Sequence, residues 1–260
     1  MKQKFVKTSN VLRFDAALSA LKRRGASEAC IVVVDGEPGL GKTTSLSRFA
    51  AQQQAIYLRA KKEFRPAWFL NELLRELRQD PPHSFEKKFE LALKTLIQRQ
   101  QAAMHADKTF ALILDEADHV STNARIMETI RDLSDMIEMP VILVGMGKIR
   151  NNLVRYPQVA SRISQYVKFE TATLQDVRLF FDEKCEVPVA DDLVEFVRKV
   201  TGGYNREIIE AMAFVERFGK RHPPSGDQGL SLRDMAGQHI VNDRVSGQPI
   251  YVPEQLSVAV

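Results

Sequence analysis

The stretch Ile31-Val32-Val33-Val34-Asp35-Gly36-Glu37-Pro38-Gly39-Leu40-Gly41-Lys42-Thr43-Thr44 decides how the chain is read. Four apolar residues ending in an aspartate predict a short strand. The eight residues after it fit the spacing G-x-x-x-x-G-K-S/T, and a helical pattern follows over 43–53. Gly36, Gly39 and Gly41 let the backbone turn tightly, so that successive N–H groups point inward at phosphate oxygens. The next helix adds its positive N-terminal end. Glu37, Pro38, Leu40 and Thr44 complete the loop; Lys42 is expected on the β- and γ-phosphates and Thr43 on Mg²⁺. A glycine-rich turn of this composition can arise by chance, but the strand-to-helix placement argues against that here.

A second pattern supports the first. Phe110-Ala111-Leu112-Ile113-Leu114-Asp115-Glu116 is an apolar strand ending in two acids. In a parallel sheet such a strand delivers its carboxylates to the C-terminal edge, beside a phosphate loop. Asp115 is expected to hold Mg²⁺ through water, and Glu116 to polarise the attacking water. Asp118 and His119 read more simply as a cap and a surface residue.

Outward from these motifs, five apolar runs predict strands at 31–35, 55–59, 110–115, 141–145 and 166–169. Helical periodicity fills 43–53, 67–77, 85–104 and 124–137 between them, and 11–21 ahead of them. Alternation of this kind implies a five-stranded parallel α/β sheet covered by helices on both faces. After residue 170 only helical patterns remain, at 174–184, 191–200 and 205–218, which predicts a small α-helical lid. The expected organisation is a nucleotide-binding domain with an N-terminal helical arm over 1–170, the lid over 171–218, and a linker with a flexible tail over 219–260. The tail is rich in Pro, Gly, Ser and charge, with one short helix expected at 231–240.

The 260 residues are 44% hydrophobic and 27% charged, the balance of a soluble globular protein. No apolar run approaches the ~20 residues that span a bilayer, and the first residues lack an apolar leader core, so a cytoplasmic location is expected. Cys30 and Cys185 are the only cysteines, without metal-ligand spacing. A net charge of +4 suits an anionic partner without requiring one.

Charge developing on a transferred γ-phosphoryl needs cations beyond Lys42. Arg162, in Tyr156-Pro157-Gln158-Val159-Ala160-Ser161-Arg162-Ile163, is the candidate for donation to a neighbouring subunit, and Arg150 and Arg155 compete with it. Arg206 follows a glycine turn in Thr201-Gly202-Gly203-Tyr204-Asn205-Arg206 and opens a helix. A cation is unfavourable at that end of a helix unless an anion binds nearby.

With these residues in hand, the chain resembles the AAA+ ATPases over about residues 10–218. Within that group the loop, Leu114-Asp115-Glu116-Ala117-Asp118, Leu143-Val144-Gly145-Met146-Gly147 and Ala160-Ser161-Arg162-Ile163 resemble the DNA-transposition ATPases related to the phage Mu B protein. The resemblance implies ATP bound between subunits, self-association as a helical filament or ring on double-stranded DNA, and direction of a transposase to its target. By position it makes Lys42 and Thr43 the Walker A contacts, Asp115 and Glu116 Walker B, Arg162 the arginine finger and Arg206 sensor 2. Many family members end the fourth strand on Asn, Ser or Thr, whereas Gly145-Met146-Gly147 has no such group; slow hydrolysis, suited to a switch, is the expectation.

For duplex binding without sequence preference, cations must meet phosphates. The densest cluster is Arg59-Ala60-Lys61-Lys62-Glu63-Phe64-Arg65, with Lys148 and Arg150 second; ordinary solvated charge is the competing explanation for each. Two other function classes fit the core pattern: a secretion- or cell-wall-associated AAA+ protein, and a replication-initiator or helicase-loader relative.

Overall fold

In the computed structural model, described for residues 1–224 and 228–254, the chain divides into two compact units. The first comprises Arg13–Pro38 and Lys42–Phe169. The second comprises Met1–Leu12, the loop residues Gly39–Gly41 and the described residues from Glu170 onward.

The elements of the first unit follow the alternation read from the sequence. After α1 (Ser9–Leu21), whose first residues belong to the second unit, come β1 (Ile31–Asp35), α2 (Lys42–Gln53), β2 (Ile56–Arg59), α3 (Pro66–Glu76) and α4 (Phe85–His105). Next are β3 (Leu112–Asp115), a short 3₁₀ turn over Ala117–His119, α5 (Ala124–Ile137), β4 (Val141–Val144), α6 (Ile149–Leu153), α7 (Pro157–Ala160) and β5 (Ile163–Lys168). The five strands form one parallel sheet of order β2-β3-β4-β1-β5.

The sheet forms where it does because its central strands are apolar on both faces. Ile31, Val33, Leu112, Leu114, Val141 and Leu143 join residues of α3, α4 and α5 in one core. The alternate residues Val32, Val34, Ile113, Ile142 and Val144 are equally buried on the opposite face. Helix starts are chemically marked: Pro66 opens α3, and the side chains of Ser84 and Asn123 accept from the first turns of α4 and α5.

The fifth strand begins earlier than its sequence pattern, at Ile163 rather than Tyr166. It is an edge strand with mostly part-exposed residues, so its apolar alternation is weak.

The second unit contains α8 (Leu174–Lys184), α9 (Asp191–Val200), α10 (Asn205–Arg221), β6 (His239–Asn242) and β7 (Pro249–Tyr251). Helix α8 starts in a capping box between Thr173 and Asp176, and Asp176 also accepts from the Ser9 backbone and hydroxyl at 2.7 Å each.

The tail departs from expectation. Helix α10 runs on to Arg221, and β6 and β7 pair as an antiparallel hairpin. The short helix expected at 231–240 is replaced by turns over 232–237 and the start of β6 at His239. The reason is burial: Leu230, Met235, Ile240, Val241 and Val252 share one core with Val194, Ile208, Met212 and Val215 of α9 and α10. Residues 225–227 and 255–260 of the expected tail lie outside the described residues.

Candidate nucleotide site

The loop after β1 has the backbone its glycines predict. Gly36, Gly39 and Gly41 have φ of 154°, 92° and 84°, the latter two in a region that strains any residue with a Cβ. Lys42 opens α2 and is only 7% exposed. Its ammonium donates to the carbonyls of Gly36 at 2.5 Å and Glu37 at 2.8 Å. Burial lowers its pKa, and the nearby carboxylates Asp115, Asp35, Asp118 and Glu37 counteract that by favouring the charged form.

Thr43 and Asp115 meet directly. The Thr43 hydroxyl donates to Asp115 Oδ2 at 2.8 Å, the Glu116 backbone N–H donates to Asp115 Oδ1 at 2.8 Å, and the carboxylate is 5% exposed. A third donor, Tyr57 of β2, was not singled out in the sequence: its hydroxyl donates to the same Oδ2. Burial, then the bond to Asp115, raise its pKa well above the usual value, so it remains a donor at any working pH. Its position between the apolar Ile56 and Leu58 of a short strand was the available signal, while the pairing of that strand with β3 was not legible.

Glu116 has φ 55° and ψ 34°, the left-handed region that disfavours a side chain. Its carboxylate pairs with Arg59 Nη2 at 2.5 Å and lies 3.7 Å from His119 Nε2. The Arg59 hydrogen bond, outweighing desolvation, holds its pKa below the usual carboxylate value.

At the end of β4, Gly145-Met146-Gly147 presents no polar side chain, as the sequence indicates, and Asp118 fills the space. Its Oδ2 accepts from the Met146 N–H, and a Cβ on Gly145 would lie 2.9 Å from that oxygen and 2.5 Å from Ile149 Cγ2. Burial raises the pKa of Asp118. Asp35 braces the same turn, accepting from Gly36 N at 2.8 Å and Gly147 N at 2.5 Å. Neither acid was among the predicted site residues.

The candidate cations fall into distinct settings. Arg162 pairs with Asp135 of its own chain at 3.0 Å, whereas Arg155 is exposed and makes no ion pair among the described residues. Arg206 is exposed, and its backbone N–H donates to the Gly39 carbonyl at 3.3 Å. Of the expected DNA contacts, Arg59 is engaged by Glu116. Lys61 lies 3.4 Å from Glu72 and over the rings of Phe64 and Trp68, while Lys62 and Arg65 are exposed. Lys148 is exposed, and Arg150 lies over the Tyr166 ring, 5.0 Å from its centroid.

Among the described residues, no group of three or more His, Cys, Asp or Glu is placed to hold a metal by protein alone. Thr43 and Asp115, two oxygen donors beside a phosphate cradle, fit a Mg²⁺ whose remaining ligands are phosphate and water.

A five-stranded parallel sheet with a glycine loop after β1 and an acidic pair after β3 defines a P-loop fold of the AAA+ type. A family profile described as the AAA domain matches residues 23–153, half of the sequence, and the chain belongs to that family. Solved structures share the fold. Cdc6p from Pyrobaculum aerophilum is 17% identical with a TM-score of 0.57, covering 90% of this chain and 68% of its own. The ORC2 protein of Aeropyrum pernix, in ADPNP-ADP complexes, is 16% identical with a TM-score of 0.59, covering 85% and 66%. The ORC1 protein of Aeropyrum pernix, in complex with DNA, is 16% identical with a TM-score of 0.54, covering 86% and 63%. This chain therefore spans about two thirds of the length of these neighbours. No curated protein matches it significantly. Among the described residues, no helix is long and apolar enough to cross a membrane.

Proposed function

We propose that the chain binds ATP with Mg²⁺ and hydrolyses it slowly. Its nucleotide state then governs assembly on double-stranded DNA, as a filament or ring that directs a transposase to its target. The observation that carries the ATP reading is the hydrogen bond of 2.8 Å from Thr43 to the buried Asp115, beside Lys42 and the glycine loop. In this reading the Lys42 ammonium would leave the Gly36 and Glu37 carbonyls for phosphate oxygens, Thr43 would hold the metal, and Asp115 would hold it through water. Bound Mg²⁺ supplies neutralisation of phosphate charge. Glu116 accepts the proton of the attacking water once it parts from Arg59. That pairing, together with the lack of a polar side chain at Gly145–Gly147, supports slow turnover. Arg162 completes a neighbour's site by exchanging Asp135 for phosphate, with Arg155 and Arg150 as alternatives, and Arg206 reports on the nucleotide from α10.

DNA binding rests on Lys61, Lys62 and Arg65 after β2, with Lys148 and Arg150 as a second group and Arg59 available when it releases Glu116. The transposition role is supported by the sequence strings quoted above. A replication-initiator relative is the second reading, favoured by the shared fold with Cdc6p and the ORC proteins.

Electron microscopy with a slowly hydrolysed ATP analogue, with and without duplex DNA, separates the two. Filaments that need both nucleotide and DNA support the first reading. Discrete one- or two-copy complexes on DNA support the second, and monomers throughout remove both.

A further inference from the structure

The hairpin of β6 and β7 was unforeseen in the sequence, and its turn carries an arginine to the phosphate loop. The turn is fixed by Asp243, whose Oδ1 accepts from Val245 N at 3.0 Å, Ser246 N at 2.7 Å and the Ser246 hydroxyl at 2.8 Å. The hairpin is anchored on α10 by buried Ile240 and Val241 and by His239, which stands edge-on to Phe214 at 4.6 Å. Arg244 therefore projects from a held turn.

Its guanidinium lies over the Tyr204 ring, 4.1 Å from the centroid, and Nη1 is 2.5 Å from Glu207 Oε1. A Cβ on Gly39 would lie 3.0 Å from the same nitrogen. The cation is thus positioned against the loop whose neighbouring residues are tied to α10: Asn205 Nδ2 donates to the Leu40 carbonyl at 3.1 Å, and Arg206 N to that of Gly39.

Glu207 neutralises Arg244, and its second oxygen, Oε2, is buried with no hydrogen-bond partner among the described residues. A polyphosphate entering the loop brings several negative charges close to the guanidinium. It competes with Glu207 for the arginine, whose planar fork can hold two phosphate oxygens as it can a carboxylate, and it brings more negative charge than the single carboxylate. We infer that Arg244 is a further phosphate-binding cation at the Gly39–Gly41 loop, delivered by the C-terminal hairpin and exchanged from Glu207 to polyphosphate bound there. This rests on the nucleotide reading above, and it makes the hairpin an element that responds to nucleotide occupancy.

The test is equilibrium binding of a fluorescent ATP analogue to the full chain and its variants, each checked by thermal unfolding. Lys42→Ala reports on the nucleotide reading itself, which fails if binding persists undiminished. Given that control, Arg244→Ala should weaken binding about tenfold in protein that remains folded at the assay temperature, and Arg244→Lys should restore part of the loss. Glu207→Gln should tighten binding by a fewfold, because it frees the cation and removes a like charge from the phosphates. A structural pair predicts the opposite sign for Glu207→Gln. Wild-type affinity in Arg244→Ala, or weakening in Glu207→Gln equal to that in Arg244→Ala, overturns the proposal; should Arg244→Ala fail to fold, the sign of the Glu207→Gln effect decides alone.

Discussion

Replacing Tyr57 by Phe removes one hydroxyl from the centre of the candidate metal site while keeping the ring that fills β2's flank. The phenol donates to Asp115 Oδ2, the oxygen that Thr43 also reaches at 2.8 Å. A hydrogen bond to a charged group contributes about 1.5–3 kcal/mol. Asp115 keeps two other donors, the Thr43 hydroxyl and the Glu116 N–H, so the lower end, about 1.5 kcal/mol, is the reasonable figure. In thermal unfolding that corresponds to a fall of roughly 3–6 °C for a domain of this size. The consequence for metal binding is more specific. When the Thr43 hydroxyl turns to Mg²⁺, Tyr57 becomes the side-chain donor that still fixes the carboxylate, so its loss falls mainly on the metal-bound form. About 1.4 kcal/mol is a factor of ten, and the Mg²⁺ concentration that half-saturates nucleotide binding should rise about tenfold in Tyr57→Phe. Metal-free nucleotide affinity should stay unchanged. A variant that melts lower but titrates with Mg²⁺ like the wild type would show the phenol to be a packing group, and the reasoning would fail.

Other expectations follow from neighbouring geometry. Glu116→Gln should retain ATP binding while phosphate release, followed by a coupled assay, falls about 10²–10⁴-fold, the usual contribution of a general base; undiminished turnover would remove Glu116 from that role. Gly145→Ala places a Cβ 2.5 Å from Ile149 Cγ2 and 2.9 Å from Asp118 Oδ2, so urea unfolding should show a loss of about 1–3 kcal/mol. Asp176 is buried, which alone raises its pKa, yet the hydrogen bonds from Ser9 and Thr173 outweigh that and bring it below the ordinary 3.8. A depressed folded-state pKa contributes stability that is present above about pH 4 and lost as pH falls through the folded value. Asp176→Asn should therefore cost about 1–3 kcal/mol at neutral pH and flatten the acid limb of the stability profile; an unchanged limb would show that another group controls it.

Strands β1, β3 and β4 are buried on both faces, so they appear as uninterrupted apolar runs closed by Asp35, by Asp115 and by Gly145. The phosphate loop was legible because a close approach of backbone to phosphate demands glycine at fixed spacing. Helices α6 and α7 span five and four residues, shorter than two turns, and periodicity cannot register at that length.

Pairings across the fold were closed to inspection for another reason: nothing local marks them. Arg59 and Glu116 are 57 residues apart, and Arg162 and Asp135 are 27 apart. Each arginine was recognisable as a candidate cation, yet only the register of β2 beside β3, and the placing of α5 near the start of β5, show which acid holds it. The distinction changes the chemistry. A solvated arginine is available to phosphate at little cost, whereas a paired one must first exchange its carboxylate, so the strength of the pair sets how readily the site engages.

The C-terminal segment carries this argument furthest. Strands β6 and β7 have four and three residues, and the apolar positions that fold them, Leu230, Met235, Ile240, Val241 and Val252, are too sparse to outweigh the surrounding glycine, proline and charge in a compositional reading. They become decisive only against the buried face of α10, which the helical pattern of Ile208, Met212 and Val215 had already displayed. Ile240 and Val241 of β6 share one core with that face, and burying an apolar helix stripe against another element is favourable. Composition hid the hairpin, which becomes legible only through its packing on α10, and with it comes Arg244, the cation that composition assigned to a flexible tail.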